Sequence, residues 1–166
     1  MTAKKDFTPE EWKILLKAPT AVGLYIMMAD PNFIIGTMKE ALTISSEIIK
    51  REKQENSELL SALLKDYHDK DMAKQARIEF EKKEVDAIRQ AAWETLQKVV
   101  EILDKKATPE EAAEMKQWLY ELARKTAEAA REGGFFGIGG TKVSDKEKQA
   151  LKELAELFKI TPTDLD

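Results

Sequence analysis

The sequence predicts an all-α fold: a single-domain bundle of six to seven helices, with one long central helix and no sheet. Three observations predict it. Apolar residues recur at 3-4 spacing through most of the chain, the period of a helix that buries one face. Capping-box signals stand before such stretches at Thr8, Thr108 and Ser144. Alternating or β-branched runs that would read as strands are almost absent. A chain of 166 residues with 43 % hydrophobic residues has the length of one domain and the apolar material for its core. The domain spans 1–166, with 1–7 and 161–166 expected as flexible ends.

Thr8-Pro9-Glu10-Glu11 opens the first helix. Threonine caps it, proline sits where its missing N–H costs nothing, and a glutamate three residues on can reach back to the cap amide. Trp12, Leu15 and Leu16 point inward. Pro19 cannot donate to residue 15, so a kink or short break is expected at Lys17-Ala18. Val22 to Ala29 is nearly all apolar and should lie centrally, and Asp30-Pro31-Asn32 then turns the chain. The next helix runs from Phe33 or Thr37 to Gln54, with Met38, Leu42, Ser45, Ile48 and Ile49 on one face. Asn56 or Ser57 can cap a shorter helix carrying Leu59, Leu60, Leu63, Leu64 and Tyr67.

Residues 71–104 hold neither glycine nor proline. Val85, Ile88, Ala92, Leu96, Val99 and Leu103 keep one face. The upstream stripe of Met72, Ala76 and Phe80 slips out of phase with it near Glu81-Lys82-Lys83-Glu84. One long helix that rotates its buried face, or bends, would reconcile the two. Thr108-Pro109-Glu110-Glu111 repeats the first capping box letter for letter and precedes Met115, Trp118, Leu119, Leu122, Thr126 and Ala129. Ser144-Asp145-Lys146-Glu147 opens the last helix, with Ala150, Leu151, Leu154, Ala155 and Phe158 inward. The repeated box fits recurrent capping chemistry better than internal duplication, because the sequences after it diverge within a turn.

Charge narrows the functional classes. Charged residues reach 35 %, but 27 basic against 31 acidic leave a net charge of −4. No concentrated basic face follows, so a nucleic-acid partner is not expected. Cysteine is absent, which removes disulfides, thiolate metal sites and cysteine nucleophiles. His68 is the single histidine, so no pair of histidine ligands exists within the chain. Met1 to Asp6 runs into a helix cap with no apolar signal core behind it. The most apolar stretch, Ala21 to Gly36, is too short and interrupted to cross a bilayer, which takes about 20 apolar residues. A soluble, cytoplasmic protein without a cofactor is expected, and membrane-surface contact is not.

Five of the seven glycines fall within Gly133-Gly134-Phe135-Phe136-Gly137-Ile138-Gly139-Gly140. Glycines can bring backbone N–H groups close to a phosphate at a helix N-terminus. Here no strand precedes the loop, and Thr141 and Lys142 stand in the wrong order for a P-loop. The better reading is structural: Gly133 or Gly134 ends one helix in the left-handed conformation, and Phe135 or Phe136 folds back on its last turn. The alternative leaves Phe135, Phe136 and Ile138 exposed, with Lys142 beside them, as contacts for a ligand or partner.

Other candidates read as structure. His68 lies in Asp66-Tyr67-His68-Asp69-Lys70-Asp71, which matches no ligand signature and resembles a solvated helix end. Glu10, Glu11, Glu110 and Glu111 complement helix dipoles. Trp12, Trp93 and Trp118 fall on or beside apolar faces. No catalytic or metal-binding constellation emerges.

The segment from Gly133 through Thr141-Lys142-Val143-Ser144-Asp145-Lys146-Glu147 to Phe158 resembles the C-terminal part of small bacterial helical proteins of uncharacterised function. Ala29-Asp30 after an apolar helix, with Glu40 downstream, is similar to tellurite-resistance-B-like helical domains. Those continue with glycine where this chain has Pro31-Asn32, and the resemblance implies a helical fold class.

The expected function is that of a non-enzymatic interaction protein, as a homo-oligomer or with a protein partner. A second reading is a small apolar ligand or lipid held among Trp12, Tyr25, Met27, Met28, Phe135 and Phe136. A third is a metal-dependent enzyme that uses carboxylates or His68.

Overall fold

The structure, a computed structural model, describes residues 1–30, 37–78, 84–132 and 143–161. Among them are a 3-10 turn at Lys4–Asp6 and seven α-helices, with no strand. The helices are α1 (Pro9–Met27), α2 (Thr37–Glu52), α3 (Glu58–Tyr67), α4 (Lys70–Gln75), α5 (Val85–Lys106), α6 (Pro109–Glu132) and α7 (Asp145–Phe158). None of the described helices is long and apolar enough to cross a membrane.

All three capping boxes form. The Thr8 hydroxyl accepts the Glu11 amide at 3.2 Å, and Glu11 Oε2 accepts the Thr8 amide at 2.8 Å. The same pair of bonds joins Thr108 with Glu111 at 3.3 and 3.1 Å, and Ser144 with Glu147 at 3.2 and 2.9 Å. Of the two candidates at the start of α3, Ser57 is the cap, accepting the Leu60 amide at 3.2 Å. Asn56 instead closes α2: its amide donates to the carbonyls of Arg51 and Gln54.

Two expectations need correction. α1 runs unbroken through Pro19. The proline removes the one donor that Leu15's carbonyl would take, while Leu15, Leu16, Ala18, Ala21 and Val22 are fully buried and hold the helix to its neighbours across that point. Each such leucine contributes about 1.5–3 kcal/mol by burial, enough to outweigh one lost backbone bond. Residues 71–104 do not form one long helix. α4 ends at Gln75, Arg77 and Ile78 are non-helical, and Glu84 precedes α5 in an extended conformation. Met72 and Ala76 thus belong to a segment separate from the stripe of α5 rather than to one rotating face. The central helix is α1, which packs against each of the other six.

Residues 1–7 make definite contacts. The Thr2 amide donates to Glu111 Oε1 at 2.9 Å, Lys4 pairs with Asp66 at 2.6 Å, and Phe7 is buried against Trp12.

These contacts set the helix directions. Lys106, at the end of α5, binds Glu11 at the start of α1, so the two helices run antiparallel. α2 runs antiparallel to α6, through Arg51 with Glu114 at one end and Glu47 with Lys125 further along. The close of α7, at Phe158, shares a groove with Leu103 of α5 and Pro109 of α6. One end of the bundle therefore gathers the starts of α1 and α6 with the finishes of α5 and α7. The opposite end gathers the close of α1 with the first turns of α5 and α7. Between α1 and α2 the approach is tight: a Cβ on Gly23 would overlap the terminal methyl of Ile44.

Candidate functional site

Phe135, Phe136, Ile138 and Lys142 lie outside the described residues. So do residue 31 and the side chain of Glu40, whereas Asp30 is buried. The described residues offer a different site, at the end of the bundle where α1 closes.

Three helical stripes meet there. Tyr25 in the last turn of α1 is followed at three and four residues by Met28, the C-cap, and Ala29, just beyond it. Asp86, Arg89, Gln90 and Trp93 repeat that spacing along α5, as do Asp145, Gln149 and Glu153 along α7. The stripes enclose an open cleft of about 530 Å³ that reaches Met28, Val85 and Lys146. A second hollow of about 350 Å³ reaches Tyr25, Gln90 and Trp93. Asp86, Arg89 and Glu153 line both and form the ridge between them.

A polar cluster binds the three helices at that ridge. The Tyr25 hydroxyl donates to Glu153 Oε2. Arg89 Nη2 donates to the Tyr25 oxygen at 3.1 Å and to the same Glu153 oxygen at 3.2 Å. The guanidinium lies 4.6 Å from the centre of the Tyr25 ring, a cation–π contact. The other neighbour of that ring is Trp93, 5.1 Å away between centres and tilted by 33°. Gln149 donates to the second Glu153 oxygen at 3.3 Å. Burial, reinforced by the acceptor Glu153, pushes the Tyr25 phenol well above its ordinary pKa. Tyr25 is therefore a fixed donor at every physiological pH.

Glu153 is thus fully engaged. The other charges of the cleft are not: among the described residues, the exposed side chains of Asp86, Asp145 and Lys146 make no ion pair or hydrogen bond. Arg89 Nε is buried and has no acceptor. The cleft therefore presents unpaired charges of both signs beside a half-buried indole. Among the described residues no group of three or more His, Asp or Glu side chains could hold a metal ion.

The pocket expected from sequence divides. Tyr25 and Met28 border the cleft. Trp12 stands thirteen residues before Tyr25, about 20 Å along the helix axis, and donates its indole N–H to Asp66 at 2.7 Å. Trp118 is buried in the core, and His68 is exposed, 2.9 Å from Glu52. Sequence reasoning missed Arg89, Glu153, Asp86 and Lys146, and assigned Trp93 to packing alone. The available signal was polar residues at helical spacing around a tryptophan, a pattern shared with many solvated helix faces.

No family model matches the chain, and no curated protein or solved structure matches it.

Proposed function

We propose that this protein is a helical binding module that takes a small polar ligand in the cleft between α1, α5 and α7. The observation that supports it most is the contrast within the cleft. The Tyr25–Arg89–Glu153 cluster fixes its wall, while Asp86, Asp145 and Lys146 beside it have no partners among the described residues. Rigid walls with a few convergent polar groups are the usual anatomy of ligand sites, and the volume falls within their range of about 300–1,000 Å³. Self-association finds less support, since Met1 and Ile49 are the only exposed large hydrophobic residues among those described.

A thermal-shift screen of small polar metabolites tests the reading. A ligand that binds only the folded state at about 100 times its Kd stabilises by about 2.7 kcal/mol. The expected hits raise Tm in the parent chain and lose that effect in Trp93→Ala. They keep it in Asp104→Asn, which alters the groove at the other end of the bundle. Hits insensitive to Trp93→Ala, or a blank screen, would count against the cleft.

A further inference from the structure

The unpaired groups also constrain the ligand's chemistry, and this step rests on the cleft being a binding site. We infer that the ligand is a zwitterion of the free amino-acid type, with a large apolar or aromatic side chain.

The argument is one of placement. Asp86 stands on the ridge that both hollows share. Lys146 lines only the hollow on the Met28 side, and Trp93 only the hollow on the Tyr25 side. A ligand lying across both hollows would meet Asp86 in each, Lys146 in one and Trp93 in the other. An amino acid carries the complementary groups on one carbon: an ammonium for Asp86, a carboxylate for Lys146 and a side chain for Trp93. Glu153 cannot serve as the ammonium's main partner, because Tyr25, Arg89 and Gln149 already occupy its oxygens. Tyr25 cannot donate to the carboxylate, because its proton is held by Glu153. A ligand with one charge would leave either Lys146 or both Asp86 and Asp145 unmatched, whereas a zwitterion leaves only Asp145 without a counter-charge. A metal ion lacks the converging carboxylates it needs among the described residues.

Three near-isosteric probes separate the alternatives: L-phenylalanine, 3-phenylpropanoate (no ammonium) and 2-phenylethylammonium (no carboxylate). L-leucine serves as a second zwitterion. Each is titrated to about 10 mM into the ¹⁵N-labelled full chain while amide and indole resonances are followed. A charge-assisted hydrogen bond contributes about tenfold or more in affinity. The expected result is that at least one zwitterion shifts the Asp86, Arg89 and Lys146 amides and the Trp93 indole. Its Kd should be at least about tenfold below that of either single-charge analogue. Asp86→Asn and Lys146→Gln should each weaken it by a similar factor, with circular dichroism unchanged. Equal binding by a single-charge analogue overturns the zwitterion and leaves the cleft as a ligand site. No shift from any probe also overturns it, and the thermal-shift screen then decides separately whether the cleft binds anything.

Discussion

The two ends of the bundle hold their charged groups to different degrees. Where α1 and α6 begin, charged groups meet partners. Glu11 takes Lys106, Glu111 takes the amides of Thr2 and Thr108, Asp66 takes Lys4 and the Trp12 indole, and Asp104 takes Lys116. Where α1 closes, Arg89 pairs with Glu153, and Asp30 and Glu147 also hold partners, whereas Asp86, Asp145 and Lys146 make no bond among the described residues. The difference follows from the chain path. At the first end, residues 2–7 cross the bundle and bring amides, an ammonium and Phe7 to the helix termini. At the second, the faces of α1, α5 and α7 meet around a cleft whose Asp86, Asp145 and Lys146 no such segment reaches among the described residues. One end carries a network of partners, and the other carries the cleft proposed as a binding site.

The largest test of that contrast compares tryptophans. Trp12 is 2 % exposed, packs on Phe7 and donates to Asp66, whereas Trp93 is half-buried at the rim of the cleft. Trp12→Ala should cost about 3–5 kcal/mol, in the range of buried aromatic truncations. Trp93→Ala should cost less than half as much. Urea unfolding midpoints measure both, and a larger loss for Trp93 would reverse the assignment of roles.

Acid should destabilise the fold through the carboxylates that hold partners. At Glu111 burial alone would raise the pKa, but the hydrogen bonds from Thr2 and Thr108 outweigh it and hold the group below its ordinary value. Glu11 is lowered by its bond to Lys106 and then by the Thr8 amide. At Glu47 burial again opposes the shift, but Lys125 and Lys50 prevail and lower it. A carboxyl depressed in the folded state contributes stability that is full above its unfolded pKa of about 4.3 and is lost as pH falls through the folded pKa. Unfolding free energy should thus hold steady from neutral pH to about 5 and decline below about 4.3. Glu111→Gln should flatten that decline. An unchanged slope would mean that the buried cap carries none of it.

The two letter-identical caps offer a finer comparison. Thr8→Ala and Thr108→Ala should each cost about 1 kcal/mol. Thr108→Ala should cost the more, because Glu111 is buried and its other oxygen holds Thr2. Equal costs would show that the N-terminal strap adds nothing to the cap.

These caps were legible in the sequence because their chemistry is local. Thr8, Thr108 and Ser144 each find their partner three residues away, and the apolar stripes that follow name the buried faces. Long-range partners were not legible. Nothing near Glu111 in sequence announces Thr2, and nothing near Tyr25 announces Glu153. The continuity of α1 through Pro19 likewise depends on what packs against it. The break between α4 and α5 did leave a trace, the phase slip around residues 81–84, but a slip alone does not say whether a helix bends or stops. The cleft was the least legible part. Its polar residues obey the same spacing as any solvated helix face, and only the meeting of three faces brings them around one cleft.

The smallest expected effect tests the claim of availability. Asp86→Asn, Asp145→Asn and Lys146→Gln remove charges that make no bond among the described residues. Asp86 and Asp145 lie in the first turns of α5 and α7, where a carboxylate favours the helix dipole by about 0.3–1 kcal/mol. Lys146, also in a first turn, opposes that dipole. The aspartate variants should therefore lose only a few tenths of a kcal/mol, and Lys146→Gln should gain about as much. A loss above about 1 kcal/mol would mean that the group is paired in solution, because an exposed charge without a partner has little stability to lose. Groups already paired could not meet a ligand's charges without giving up the partner they hold. Near-neutral stability in all three variants, joined to loss of ligand response, is the combination that separates a recognition surface from a stabilising one.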